Sequence, residues 1–239
     1  LLDVKIQIGM LQKLGKQIEL SEQTERVTLS SPPLQNELDW PGKSIRNTLL
    51  VLGTLLARTG YASVPLPGGC DLGGRGFDLH IELLRAFGAE VWQSATHLFA
   101  RSQNRLVGAD VKLRVKSTGA TENAILVATL AKGLTTITNP HIRPEILDLL
   151  ELLRKMGAIV EEVSREKIQI RGVDALGGAA HRVPPDNMEA ITWAVGAGVT
   201  GGQIEIADFP AADLSVALTH LEDSGLEVFR GPSSAIIRG

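Results

Sequence analysis

Leu152-Leu153-Arg154-Lys155-Met156-Gly157-Ala158-Ile159-Val160 decides the fold, because the chain carries it in three versions. The others are Leu83-Leu84-Arg85-Ala86-Phe87-Gly88-Ala89-Glu90-Val91 and Leu221-Glu222-Asp223-Ser224-Gly225-Leu226-Glu227-Val228. Each reads as the end of a helix, a glycine that stops it and the start of a β-rich run. Gly88, Gly157 and Gly225 are 69 and 68 residues apart. A second helix-end glycine recurs at Gly60, Gly133 and Gly201, at intervals of 73 and 68. Two landmarks that keep one period define a repeat.

Within the repeat the order is helix, strand, helix, strand, turn, strand. In the middle copy the spacing predicts a largely buried helix over Ala120–Ala131, since Ile125, Leu126, Ala128 and Leu130 leave few polar positions. Lys132-Gly133 ends it, and the β-branched Thr135-Thr136-Ile137-Thr138 follows as a strand broken by Asn139-Pro140. Pro144 opens a second helix over Glu145–Met156, with Ile146, Leu149, Leu150 and Leu153 at helical spacing. Ile159-Val160 and Lys167–Ile170 close the unit as paired strands around Ser164-Arg165-Glu166.

The first residues fit the plan from its middle. Met10–Glu19 matches the second helix and the strand after it, because Gly15 precedes Gly88 by 73 residues. A repeat without its first helix cannot cover its own core, so the sequence reads as part of a longer polypeptide; a degenerate capping repeat is the alternative. Leu34–Lys43, preceded by two prolines and containing Pro41-Gly42, reads as a loop between repeats, and Gly172–Pro185 as a second joint.

Composition narrows the function. The formal charge of −3 comes from 24 basic and 27 acidic residues mixed along the chain, with no basic stripe for nucleic acid. No apolar run reaches membrane-spanning length, and the start has neither a signal-peptide pattern nor an initiator methionine. The single cysteine excludes an internal disulfide framework, and no C-x-x-C or His-rich spacing suggests a structural metal, so a reducing cytoplasm is the expected compartment. Small anions then have to be held by local arginines.

The cysteine itself sits in Leu66-Pro67-Gly68-Gly69-Cys70-Asp71-Leu72-Gly73-Gly74-Arg75-Gly76-Phe77-Asp78-Leu79-His80. Glycines free such a backbone to approach a ligand, Arg75 can fork onto phosphate or carboxylate oxygens, and a nearby guanidinium lowers a thiol pKa. A lone cysteine in a glycine-rich loop is equally an ordinary small residue, so the pattern alone leaves both readings open.

Six stretches in order carry a resemblance: Ser44-Ile45-Arg46-Asn47-Thr48 through Leu56-Ala57-Arg58, Leu66–Cys70, Asp78-Leu79-His80, Ser117-Thr118-Gly119-Ala120-Thr121-Glu122-Asn123, Arg143–Asp148 and His181-Arg182-Val183-Pro184-Pro185-Asp186. Over nearly the whole chain they resemble the enolpyruvyl transferases. The resemblance implies an α/β fold, an inside-out barrel of repeated βαβαββ units with helices within and sheets outside, incomplete here. It divides the chain into residues 1–183, most of the domain that carries the cysteine loop, and 184–239, one repeat of a second domain.

The implied reaction moves the enolpyruvyl group of phosphoenolpyruvate to the 3-hydroxyl of UDP-N-acetylglucosamine, with release of phosphate and with no metal or organic cofactor. Cys70 matches the family's mobile-loop cysteine, implicated in proton transfer to phosphoenolpyruvate and in product release, and attacked by the epoxide fosfomycin. Arg46 and Arg75 match arginines that bind phosphoenolpyruvate; their alternative is a solvated surface role. Arg75, Gly76, Phe77, Asp78 and Leu79, with Ser117, Thr118 and Gly119, match stretches that contact the nucleotide. A phosphate at the amides that open the helix after Gly119 suits that chemistry, and the hydroxyls of Ser117 and Thr118 can cap the same helix. His80 is either a ligand contact or a satisfied core histidine.

Departures from the family pattern bear on the acceptor. Gly76-Phe77 stands where Pro-Val is usual, loosening the loop and enlarging an apolar surface near the expected uracil. Arg143 replaces a glutamate and Asn187 an arginine. A different nucleotide acceptor, or a non-catalytic paralogue that still holds nucleotide sugars, is the alternative. The family's lysine–asparagine pair and its catalytic aspartate have no match here, so the chain alone is expected to be inactive or nearly so.

Overall fold

A computed structural model describes residues 2–30, 35–68 and 76–239. The chain forms two compact units, Leu1–Ala179 and Ala180–Gly239. Their boundary falls within residues 172–186, which hold no helix or strand.

The first unit opens with α1 (Leu2–Lys13) and the hairpin β1 (Gln17–Ser21) and β2 (Arg26–Ser30). Then come α2 (Thr48–Thr59), β3 (Tyr61–Pro65), α3 (Asp78–Ala86), β4 (Glu90–Gln93) and β5 (His97–Arg101). The next repeat is β6 (Asp110–Lys112), α4 (Thr118–Ala128), β7 (Leu134–Thr138), α5 (Pro144–Lys155), β8 (Ile159–Val163) and β9 (Lys167–Arg171). The second unit is α6 (Asn187–Thr200), β10 (Gln203–Ala207), α7 (Ser215–Asp223), β11 (Glu227–Arg230) and β12 (Ser234–Arg238).

The repeat is visible in the sheets. β3-β5-β4, β7-β9-β8 and β10-β12-β11 share one strand order, and every pairing within these trios is antiparallel. The last strand of each unit lies in the middle and ends in an arginine, paired to a glutamate of its neighbour: Arg101–Glu90, Arg171–Glu161 and Arg238–Glu227. β6 adds parallel to β7, completing a βαβαββ unit. One repeat earlier the leading strand shrinks to a parallel bridge between Glu37 and Ser63. Reading the repeat from its helix misses β6, because Asp110-Val111-Lys112 offers one apolar residue and no period to detect.

All seven glycines with positive φ among the described residues are repeat landmarks: Gly15, Gly60, Gly88, Gly133, Gly157, Gly201 and Gly225. A Cβ at Gly88, Gly133 or Gly157 would meet nothing within 4 Å, so the left-handed backbone, rather than crowding, requires glycine there.

Helices are central in the first unit. α2 buries Leu49, Val51, Leu52, Leu55 and Leu56, and α4 buries Ala124, Ile125, Val127 and Ala128, so both are apolar nearly all round. α3 and α5 keep a polar face. Strands such as β5 and β9 alternate, with Leu98, Ala100, Ile168 and Ile170 inward and the intervening residues outward. Helices within and one-sided sheets outside are the layers that the family resemblance implies.

Candidate functional site

Three helix N-termini of the first unit are tied together. Arg46 precedes α2, and its Nη2 donates to the carbonyl of Gly76, just before α3, at 2.7 Å. His80, in the first turn of α3, is 4% exposed, and a Cβ on Gly119, the second residue of α4, would stand 3.6 Å from its Cε1 and Nε2. The segment before α2 also carries the start of the cysteine loop: a Cβ on Gly68 would stand 2.2 Å from the carbonyl oxygen of Ser44. Cys70 and Arg75 lie outside the described residues.

The α4 end is built by its cap. Ser117 is extended, with φ −134° and ψ 119°, and its Oγ accepts from Ala120 N at 3.3 Å. Thr118 Oγ1 hydrogen-bonds His141 Nδ1 at 2.8 Å, and His141 N donates to Thr121 Oγ1 at 3.0 Å. Thr121 Oγ1 in turn donates to the Ser117 carbonyl at 2.8 Å. Asp78, which opens α3, is ion-paired to Arg114, whose Nε is 3.9 Å from Glu82 Oε2. Phe77 and Leu79 are half-buried and pack against the core. Gly76 is exposed, and a Cβ there would approach Asp78 Oδ1 to 2.8 Å.

Electrostatics favour an anion. Burial, and then the Arg46 charge, pushes His80 down to about 4, so the ring is neutral at pH 7 and its N–H is a donor. Aligned peptide dipoles place partial positive charge at each helix N-terminus, and Arg46 adds a full one. Glu122, one turn into α4, is pushed up by burial and by Glu145.

The structure thus brings Arg46, Gly76, His80 and Gly119 together and places Ser117 and Thr118 at the same helix end. Asn123 and His141 belong to this network without having been singled out. The signal for Asn123 was available: an amide at a fully buried position of an apolar helix. In the second unit, a hollow of about 400 Å³ is lined by Trp193 and by Asp186, Glu189, Glu205 and Asp208, whose carboxylates repel phosphate. Asp186 there caps α6, accepting from Met188 N at 2.9 Å and Glu189 N at 3.0 Å. Among the described residues no cluster of His, Cys, Asp and Glu is placed to hold a metal ion, and no helix is long and apolar enough to cross a membrane.

The fold is that of the enolpyruvyl transferases. It aligns with the enolpyruvyl transferase NikO from Streptomyces tendae at a TM-score of 0.79, over 96% of this chain and 56% of that one, at 20% identity. The EPSP synthase from Acinetobacter baumannii aligns at 0.70, over 99% of this chain and 56% of that one, also at 20% identity. A family model described as EPSP synthase (3-phosphoshikimate 1-carboxyvinyltransferase) matches residues 1–239, and the chain belongs to that family.

Within the family, the chain is 44% identical over 187 residues to the UDP-N-acetylglucosamine 1-carboxyvinyltransferase of Zymomonas mobilis, covering 78% of this chain and 44% of that protein. It is 39% identical over 242 residues to the protein of the same name from Ruegeria pomeroyi, covering 95% of this chain and 57% of that protein. The chain spans about half the length of the curated relatives it matches.

Proposed function

We propose that the chain carries the cysteine-loop portion of a cytoplasmic UDP-N-acetylglucosamine 1-carboxyvinyltransferase, which begins the synthesis of peptidoglycan precursors. In the reaction the sugar 3-hydroxyl oxygen bonds to C2 of phosphoenolpyruvate, the C2–O bond to phosphate breaks, and the hydroxyl proton leaves. A proton added at C3 on attack is removed again when the vinyl group re-forms. Cys70 is assigned that proton transfer, Arg46 and Arg75 the anionic groups of phosphoenolpyruvate, and Gly76–His80 with Ser117–Gly119 the nucleotide sugar. Residues 1–183 then form most of the domain with the cysteine loop and 184–239 one repeat of the second.

One observation carries this reading. Arg46, the neutral His80 and the amides that open α4 meet at linked helix N-termini, a donor-rich corner suited to phosphate, in a chain whose curated relatives are named for this transfer.

The test is phosphate release by the full-length gene product. Release is expected only with phosphoenolpyruvate and UDP-N-acetylglucosamine together, and fosfomycin is expected to leave an adduct on Cys70. A folded protein that releases no phosphate with this acceptor, or carries no adduct on Cys70, overturns the reading.

A further inference from the structure

We propose that Asn123 is a positioning residue for His80: it holds the imidazole as the Nε2–H tautomer and so presents a proton donor beside Gly119, where α4 begins. The inference rests on the functional reading above only for the ligand that this donor meets.

Asn123 is fully buried among α2, α3 and α4. Its Nδ2 donates to the carbonyl of Leu49 at 3.1 Å and lies 3.0 Å from His80 Nδ1. The Leu49 carbonyl can only accept. Turning the amide round would set two oxygens against each other at that distance, so Leu49 fixes which end of the carboxamide faces it. The second N–H of Nδ2 then points at His80 Nδ1, which must offer its lone pair. The ring proton is left on Nε2.

The price of this orientation is visible. Asn123 Oδ1 is buried with no hydrogen-bond partner, and it occupies the space where a side chain on Gly53 would be, since a Cβ there would stand 1.9 Å away. A buried carbonyl left without a donor calls for an explanation, and the tautomer lock supplies one. Holding two helices together does not require an amide whose oxygen goes unused.

On its other side the ring faces the entrance of α4. Nε2 and Cε1 are the atoms a Gly119 side chain would meet first, and no acceptor among the described residues engages Nε2. With Arg46 acting on the same ring, the Nε2 proton lies in a field that favours a phosphate or carboxylate oxygen. The opposite tautomer would turn a lone pair towards that oxygen and repel it.

Nitrogen-15 NMR of histidine-labelled protein tests this, with the His80 signals assigned by their loss in His80→Gln. At pH 7 the unmodified protein should show Nδ1 unprotonated and Nε2 protonated, and added UDP-N-acetylglucosamine should shift Nε2 more than Nδ1. In Asn123→Asp an ionised carboxylate accepts where Nδ2 donated, so Nδ1 should gain a proton and the titration midpoint should rise above about 4. His80→Gln, which keeps an N–H near the Nε2 position, and His80→Asn, which does not, should both bind UDP-N-acetylglucosamine more weakly than the unmodified protein, His80→Asn by about tenfold and His80→Gln by less.

A proton on Nδ1 in the unmodified protein overturns the proposal without recourse to any variant. So does an unchanged tautomer in folded Asn123→Asp at a pH where the new carboxyl is ionised, or a bound nucleotide sugar that leaves Nε2 unmoved. A locked tautomer in a folded protein that does not bind UDP-N-acetylglucosamine supports the Asn123–His80 assignment and overturns the acceptor proposed above.

Discussion

Gly53 of α2 clears the space that the Asn123 carboxamide of α4 fills: a Cβ on Gly53 would stand 1.9 Å from Asn123 Oδ1 and 3.1 Å from Val127 Cγ2. Two opposing effects follow from Gly53→Ala. Alanine in a helix interior gains about 1 kcal/mol of propensity. Asn123, pinned by Leu49 and His80, cannot yield without losing two buried hydrogen bonds, each worth about 1 kcal/mol and more where a partner is left unpaired. The clash wins, and the expected net loss is about 1–3 kcal/mol, read as a lower urea midpoint at constant m-value.

How legible this site was depends on the distance along the chain. The helix-stopping glycines are local signals, and each one read from the sequence takes the left-handed backbone that the reading requires. Helix starts followed within two residues, since Pro144 does open α5 and Ser117 does cap α4, but α4 stops at Ala128 with Thr129 as its C-cap, three residues before the Ala131 that the apolar run suggested and short of Gly133. The bonds that join Asn123 to Leu49 and to His80 span 74 and 43 residues, and no pattern in one sequence specifies which buried polar groups meet. Arg46 and His80 were found through motif resemblance, whereas Asn123, quoted in the same motif, acquired a role only when its partners were seen. Strand β6 was hidden for a different reason: three residues, one of them apolar, carry too little alternation to register.

Gly157 and Gly196 offer a comparison free of packing, because a Cβ at either would meet nothing within 4 Å. Gly157 has φ +101°, and an L-residue in that region costs about 1–2 kcal/mol. Gly196 lies inside α6, where alanine narrows the unfolded ensemble and gains about 0.4–1 kcal/mol. Gly157→Ala should therefore lower the melting temperature and Gly196→Ala raise it, as calorimetry would record. The same sign for both substitutions would contradict the conformational account of the repeat landmark.

Arg105 bridges one repeat period. Its Nε donates to Leu130 O at 2.8 Å and its Nη2 to Val173 O at 2.5 Å, while Nη1 pairs with Asp174. The planar guanidinium reaches all three acceptors, and a lysine ammonium cannot match that fork. Arg105→Lys is expected to cost about 0.5–1.5 kcal/mol through the carbonyl bonds it loses. Asp174 is 95% exposed, so Asp174→Ala should cost under about 1 kcal/mol. Denaturation of the two variants side by side checks the order; an equal loss would mean that the ion pair, rather than the carbonyl contacts, carries the staple.

Burial holds His80 at about 4, below its ordinary 6.5, with the Arg46 charge as the second cause. The unfolded chain therefore binds more protons than the folded one between those two pH values. Stability from the buried neutral ring is complete above about 6.5, falls as pH drops towards 4, and levels off below it, when both states are protonated. Over the whole window the change is about 3 kcal/mol, at roughly 1.4 kcal/mol per unit. His80→Gln has no proton to take up, so the difference in unfolding free energy between pH 7 and pH 4.5 should be smaller in this variant by most of that amount. Equal pH dependence in the two proteins would show that His80 is not held neutral by its place between α2, α3 and α4.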